Sequence, residues 1–329
     1  MSKLFKLLLL SIVTLLGMQQ SSHATGFGIY SKLYIFGDSL SDTGNDFILT
    51  TKLFAGAYPS IPPSVSPFKT YYKGRFSNGP VAVEYLCKYL NICVTQQLKP
   101  TEGVANIVGQ NTLNFAYGGS ESGMSNLTSG GFPVLGALGQ ANKLIQAYLA
   151  VGKKVPKDAV YFIWTGANDY LIETTTPSPM QVVGNIAQTI DSLYAAGARL
   201  FIVPNLSDLG LVPILQFPPF SNIPGISAGF TQLSQAHNFV LAQTLENLKL
   251  NHPGIKLVPV DIFSLFNDLR TRMYAGLGKG GYCLTLDPLT CTDVPSFEVN
   301  GEIFWDVQHP TTEAHRYVAL EAIKKLNSE

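Results

Sequence analysis

Five short apolar runs punctuate the chain, at residues 32–36, 112–115, 159–164, 200–203 and 256–260, and most of them stop at Gly, Asn, Asp or Pro. They are rich in β-branched and aromatic residues and show no polar alternation, as strands buried on both faces of a parallel sheet do. Between them, residues 81–90, 138–150, 180–196, 228–250 and 312–326 place apolar side chains three and four apart, the helical period. In 228–250, Phe230, Leu233, His237, Leu241, Thr244 and Leu248 share one face; in the last helix Tyr317, Leu320, Ile323 and Lys324 lie along one side. This strand–helix alternation predicts a three-layer α/β/α sandwich around a parallel sheet. No internal repeat or break in composition marks a second domain, so residues 25–329 are expected to form one. Two long irregular stretches remain, 54–79 and 276–304. Loops of that length in a compact fold are functional or disordered, and the first is too aromatic for disorder.

The N-terminus changes the picture of where the chain works. Lys3 and Lys6 precede an apolar run over residues 7–16, followed by a polar stretch ending Ser22-His23-Ala24. This is the charged, apolar and small-x-small pattern of a secretory leader, cleaved near Ala24, and the run is too short for a spanning helix. The longest later apolar stretch, around residues 200–220, is broken by Pro204, Asn205, Asp208, Pro213 and Pro218, so no integral membrane span is expected. A secreted or periplasmic protein follows. Four cysteines fit that compartment. Cys87 pairs most simply with Cys93 and Cys283 with Cys291, free buried thiols being the alternative. C-x-x-C-like zinc spacing is absent.

Composition narrows the partners. Twenty-two basic groups balance 22 acidic ones, and charged residues make up only 13% of a chain that is 46% hydrophobic. Nucleic acid is excluded as a partner, because phosphate binding needs a basic excess or stripe. The low charge instead suits a protein with an apolar surface.

Candidate chemistry sits at strand ends, where open α/β sheets bind their ligands. Ser39 ends the first strand in Gly37-Asp38-Ser39-Leu40-Ser41-Asp42-Thr43-Gly44-Asn45. A phosphate loop does not fit, since no Lys follows and Asp38 and Asp42 would repel an anion. An EF-hand fails at Leu40, and the second Gly of G-x-S-x-G is missing. A serine nucleophile needs a base and an orienting carboxylate. His237 and His252 read as packing or surface residues and His315 as structural. His309 stands in Trp305-Asp306-Val307-Gln308-His309-Pro310, where Pro310 keeps it out of the helix and Asp306 is close enough to reach its ring if the segment turns. H-E-x-x-H is absent, so metal binding is not favoured. Oxyanion donors are available from the Asn168 amide, the Ser39 N–H and a glycine N–H at Gly118 or Gly119.

These segments, in order, resemble the GDSL-type, or SGNH, serine hydrolases. Gly37 to Asn45 is similar to the first family block, Gly74-Arg75-Phe76-Ser77-Asn78-Gly79 to the segment that follows it in the lipase-like branch, and Asn114-Phe115-Ala116-Tyr117-Gly118-Gly119 to the second block. Gly166-Ala167-Asn168-Asp169 and Asp306-Val307-Gln308-His309-Pro310-Thr311 are similar to the third and last blocks. The resemblance implies a flavodoxin-like sheet, with Ser39 as nucleophile, His309 as base and Asp306 as its partner. It implies an oxyanion hole of Ser39 N–H, Gly119 N–H (Gly118 being the alternative) and the Asn168 amide, with no metal or organic cofactor. The branch closest in length, leader and motif wording resembles bacterial secreted phospholipases and lysophospholipases and includes acyltransferases that use cholesterol as acceptor. The expectation is therefore a lipolytic carboxylic-ester hydrolase acting on lysophospholipid micelles or a membrane surface. Acyl transfer to an alcohol, carbohydrate or aryl ester hydrolysis, and lipid or glycan binding without turnover stand beside it. The stretch 215–224, with Phe217, Pro218, Pro219 and Phe220, is a candidate acyl-chain wall or membrane-contacting loop, or equally a Pro-stiffened surface loop. The Cys283–Cys291 loop is a candidate gate.

Overall fold

The computed structural model describes residues 30–55, 60–65, 70–93, 98–102, 104–128, 131–171, 177–277 and 301–328. The predicted leader and the Cys283–Cys291 pair lie outside the described residues. Six parallel strands form the central sheet: β1 (Lys32–Gly37), β2 (Lys99–Pro100), β3 (Thr112–Asn114), β6 (Ala159–Trp164), β7 (Leu200–Pro204) and β8 (Lys256–Val260), in the order β2-β3-β1-β6-β7-β8. Apart from the two-residue edge strand β2, this is the flavodoxin order. A hairpin of β4 (Ser125–Leu127) and β5 (Pro133–Leu135) lies outside the sheet.

Alternation along each strand builds the layers. Leu33, Ile35, Val160, Phe162, Trp164 and Ile202 face one way, onto α2 (Ala82–Tyr89), α7 (Ile262–Leu269) and the C-terminal helix α8 (Thr312–Ser328). Tyr34, Phe36, Tyr161, Ile163, Phe201 and Val203 face the other way, onto α3 (Ala137–Leu149), α5 (Pro179–Ala196) and α6 (Ile226–Asn251). Both faces are covered, which is why the runs read as continuously apolar. Each fully buried large side chain contributes about 1.5–3 kcal/mol relative to exposure.

The structure departs from the sequence reading in four places. The stretch assigned as irregular from residue 54 begins inside a helix, α1 (Asn45–Phe54), whose buried positions are the polar Asn45, Asp46 and Thr50, so no apolar stripe marks its inner face; a short α4 (Ala167–Leu171) and α7 were not anticipated either. The stretch 276–304 contributes to two strands that pair in parallel, β9 (Tyr274–Leu277) and β10 (Glu302–Phe304). In α6 the buried face is Phe230, Ser234, His237, Leu241, Leu245 and Leu248, with Leu233 and Thr244 only half-buried beside it. In α8 the buried stripe is Ala314, His315, Val318, Ala319, Ala322 and Leu326, and Leu320 is exposed. Small residues let α8 lie close against the sheet layer, so packing distance rather than side-chain size selects its inner face.

Cys87 and Cys93 form a disulfide, Cα–Cα 5.3 Å, tying the end of α2 to the turn that follows it. Among the described residues no helix is long and apolar enough to cross a membrane.

Candidate active site

The strand order reverses around β1, whose two neighbours are β3 and β6. Chains leaving the carboxyl ends of those three strands diverge there and leave a crevice. Ser39 follows β1, Gly118 and Gly119 follow β3, and Asn168 opens α4 just after β6. Side-chain amides knit the loops together. Asn114 Nδ2 donates to Thr43 Oγ1 at 3.0 Å, and Asn45 Nδ2 donates to the carbonyls of Asn114 and Ala116, both at 2.8 Å. Asp42 accepts the N–H groups of Gly44 and Asn45 at 2.7 Å each and of Asp46 at 3.1 Å, fixing the start of α1.

The last motif is brought to Ser39 by a tight turn ahead of α8. Trp305 N–H donates to the His309 carbonyl at 2.7 Å, and Asp306 Oδ1 accepts the N–H groups of Gln308 and His309 at 2.7 and 2.6 Å. Asp306 Oδ2 then meets His309 Nδ1 at 2.6 Å, while His309 Nε2 lies 2.8 Å from Ser39 Oγ. The three predicted catalytic residues thus form one hydrogen-bonded line. Nδ1–H donating to Asp306 leaves Nε2 as the acceptor for the serine proton. Burial works against the charge on Asp306, but His309, the Gln308 N–H and the Tyr71 hydroxyl together hold its carboxyl below the usual value.

Tyr71 and Phe76 are functional neighbours that the sequence reading did not single out. Tyr71 Oη donates to Asp306 Oδ2 at 2.7 Å across 235 positions of chain, and the Phe76 ring covers the His309 imidazole with centroids 5.0 Å apart. Both come from the aromatic stretch before α2. It is clamped to the catalytic turn by Ser77 Oγ donating to the Pro310 carbonyl at 2.9 Å and Thr312 N–H donating to Asn78 Oδ1 at 2.8 Å. Arg75, paired with Glu84 through two nitrogens at 2.7 and 3.2 Å, anchors it to α2. The available signal was the Gly74–Gly79 motif itself, whose aromatic had no other assigned purpose.

The two candidate glycines sit in different surroundings. The Gly118 N–H is turned to the buried Asp46 carboxyl, favouring its charged form. Gly119, at φ 75°, sits in the left-handed region that favours glycine. Asn168 Nδ2 donates one hydrogen to the Ser120 carbonyl at 2.9 Å, which fixes the amide and leaves its second hydrogen for a ligand. Asp38, beside Ser39, is pushed up to about 7, by burial first and by Asp169 besides, against the Leu40 N–H and His309, which favour its charge.

Among the described residues, the remaining histidines are packing or surface residues. His237 is buried against Tyr170, Nδ1 to Oη 2.9 Å, and burial lowers it to about 4. His315 is fully buried in α8 and lowered to about 3, by burial and then by His309. His252 stacks on Tyr194 and pairs with Asp191 at the surface. Among the described residues, no group of three His, Cys, Asp or Glu is placed to hold a metal.

Two arms open from Ser39, His309, Asn168 and Gln308. One is walled by Leu40, Trp164, Leu171, Leu209, Val212 and Phe304 and is apolar. The other is walled by Asp46, Ile61, Phe76, Thr128 and Phe132 and is mixed.

A family model described as GDSL-like Lipase/Acylhydrolase matches residues 33–322. The chain belongs to that family. A GDSL esterase/lipase of Arabidopsis thaliana is 29% identical over 350 residues, covering 97% of this chain and 96% of its own. GDSL esterase/lipase EXL6 of the same plant is 28% identical over 351 residues, covering 98% and 97%. Among solved structures, a lipolytic protein of the G-D-S-L family from Veillonella parvula aligns with 14% identity and a TM-score of 0.41, covering 89% of this chain and 96% of that one. An acetyl-xylooligosaccharide esterase from Geobacillus aligns with 13% identity and a TM-score of 0.44, covering 90% and 94%. Membership of this family makes the chain a carboxylic-ester hydrolase; the bacterial lysophospholipase likeness expected from the motifs is not specifically matched.

Proposed function

We propose that the protein is an exported lipolytic esterase that takes lysophospholipids through an acyl-enzyme on Ser39. His309 Nε2 removes the Ser39 proton as Oγ attacks the ester carbonyl, and Asp306 stabilises the resulting imidazolium. The oxyanion is met by N–H groups of Ser39 and Gly119 and by the Asn168 amide. His309 returns the proton to the leaving alcohol, and water repeats the sequence to free the fatty acid. Transfer of the acyl group to an alcohol needs the same residues and differs only in what enters after the first alcohol leaves.

The observation that carries the lipid reading is the lobe after β7. From residue 209 to residue 245 there is no Lys, Arg, Asp or Glu. Leu209 and Val212 wall the apolar arm, and the Ile214 N–H donates to the Val307 carbonyl at 2.8 Å, inside the catalytic turn. Leu215 is buried, whereas Pro218, Pro219 and Ile223 are exposed. An uncharged surface with apolar tips, bonded directly to the Asp306–His309 turn, suits an enzyme whose substrate is held in a micelle or membrane. The leader supports export, as does the Cys87–Cys93 disulfide, because such bonds persist in oxidising compartments.

The test is an assay of purified protein on diacyl phospholipid, lysophospholipid and an acetylated sugar, with and without cholesterol, resolving fatty acid, acetate and cholesteryl ester. Fatty acid from lysophospholipid is expected to dominate, and Ser39→Ala is expected to reduce it by about 10⁴ or more. Acetate alone would move the protein to carbohydrate esterases. A Ser39→Ala protein with full activity would remove the nucleophile assignment.

A further inference from the structure

The mixed arm of the cleft carries two polar groups that the acyl-transfer steps do not use. Asp46 Oδ1 and Thr128 Oγ1 are both buried, and neither has a hydrogen-bond partner among the described residues. Asp46 is 1% exposed and Thr128 8%. Both residues wall this arm beside Ser39 and His309, and both press on the glycine pair. Asp46 Oδ2 lies 2.5 Å from where a Gly118 Cβ would stand, and Thr128 Cγ2 lies 3.1 Å from a Gly119 Cβ. Leaving a buried polar atom unpaired costs about 1–3 kcal/mol. Two such atoms, buried behind the wall of one arm next to a nucleophile, point to a partner that reaches them when the substrate enters.

We propose that this arm is a subsite for a polyhydroxylated alcohol, the half of the ester that departs, whose hydroxyls bond to Asp46 and Thr128. The inference rests on the ester-hydrolase reading of Ser39. The chemistry of the pair matches that ligand. Asp42 takes three backbone N–H groups, which favour its charge against a burial that raises it to about 6, so at neutral pH it is the ionised member of the pair. Burial and then the Asp42 charge push Asp46 well above the carboxylate range, so Asp46 keeps its proton. A protonated carboxyl and a threonine hydroxyl each donate and accept, as adjacent hydroxyls of a polyol do; a carboxylate only accepts. The division of labour follows from the walls. The apolar arm takes the acyl chain, and the polar groups read the alcohol.

The experiment compares butyrate esters of glycerol, glucose and ethanol, which share an acyl group and differ in the alcohol. The ratio of kcat/KM for the glyceryl ester to that for the ethyl ester is expected to fall about tenfold in Thr128→Val and in Asp46→Leu, one hydrogen bond each, and to be restored by Asp46→Asn. A glucose ester that behaves as the glyceryl ester marks a sugar as the source of the hydroxyls; one that behaves as the ethyl ester marks glycerol. Equal losses on glyceryl and ethyl esters, or an unchanged ratio in Thr128→Val, overturn the subsite. Titration calorimetry on the Ser39→Ala protein reads it without turnover: about tenfold tighter binding of the glyceryl than the ethyl ester supports it, and equal binding overturns it. A wild type that cleaves no ester while this preference persists would sink the esterase reading alone.

Discussion

Asp306 and Asp46 are two carboxyls of one active site, 3% and 1% exposed, and the protein holds them in opposite charge states. Burial opposes ionisation in both. Asp306 overcomes it with a cationic partner, the Gln308 N–H and the Tyr71 hydroxyl. Asp46 has the Gly118 N–H on its side but faces the negative Asp42. Depth therefore does not decide the charge of a buried carboxyl; the donors around it do. One site obtains a fixed anion for its base and a neutral donor for its ligand from the same residue type.

The comparison breaks most sharply at Asp306. Asp306→Asn keeps the shape but removes the charge and favours the wrong imidazole tautomer, so kcat is expected to fall by about 10⁴ with little change in KM. A fall of less than tenfold, measured by steady-state kinetics on a soluble ester, would mean that Asp306 is not the orienting group. Tyr71→Phe tests the donors one step further out. It removes a bond of 2.7 Å to Asp306 Oδ2 and leaves the ring against Phe76 and Trp305. A charge-assisted bond of this kind is worth about 1.5–3 kcal/mol, and only part of that reaches the transition state, so kcat is expected to drop about tenfold. An effect confined to thermal stability would make Tyr71 a packing residue.

The contrast between the two carboxyls also shows what was legible in the sequence. Asp306 could be found because its partner lies three positions away, inside a motif whose proline excludes the helix. The strands could be found because burial on both faces leaves an unbroken apolar run. Asp46 was hidden, since its neutrality comes from burial and from Asp42 four positions back, against the Gly118 N–H 72 positions on. Tyr71 was hidden for the same reason, reaching Asp306 from a stretch with no periodicity at all. The inner face of α8 is not the side on which Tyr317, Leu320, Ile323 and Lys324 lie, because close approach to its neighbours selects alanines. Local patterns specify elements and short motifs; charge states and long-range donors belong to the assembled site.

The smallest effect sharpens the comparison through stability and pH. For Asp306, whose carboxyl is lowered on folding, the contribution is present above the ordinary carboxylate value near 3.8 and is lost as pH falls through the folded value. For Asp46, whose carboxyl is raised, the sign reverses. Below about pH 4 both folded and unfolded chains are protonated there, and as pH climbs the unfolded chain ionises first, so the folded state loses ground. Asp42, raised to about 6, and Asp38, raised to about 7, act in the same direction. Stability is therefore expected to rise up to about pH 4 on the Asp306 contribution and to decline from there towards pH 7 on the others. Asp46→Asn is neutral at every pH and keeps the shape, so it should lose less between pH 4.5 and 7 than the wild type, a difference of order 1 kcal/mol in urea unfolding. Asp306→Asn should leave that interval unchanged and flatten the rise below pH 4 instead. Parallel pH profiles for wild type and Asp46→Asn would mean that Asp46 is ionised in the folded chain, and the opposition between the two carboxyls would then collapse into two anions.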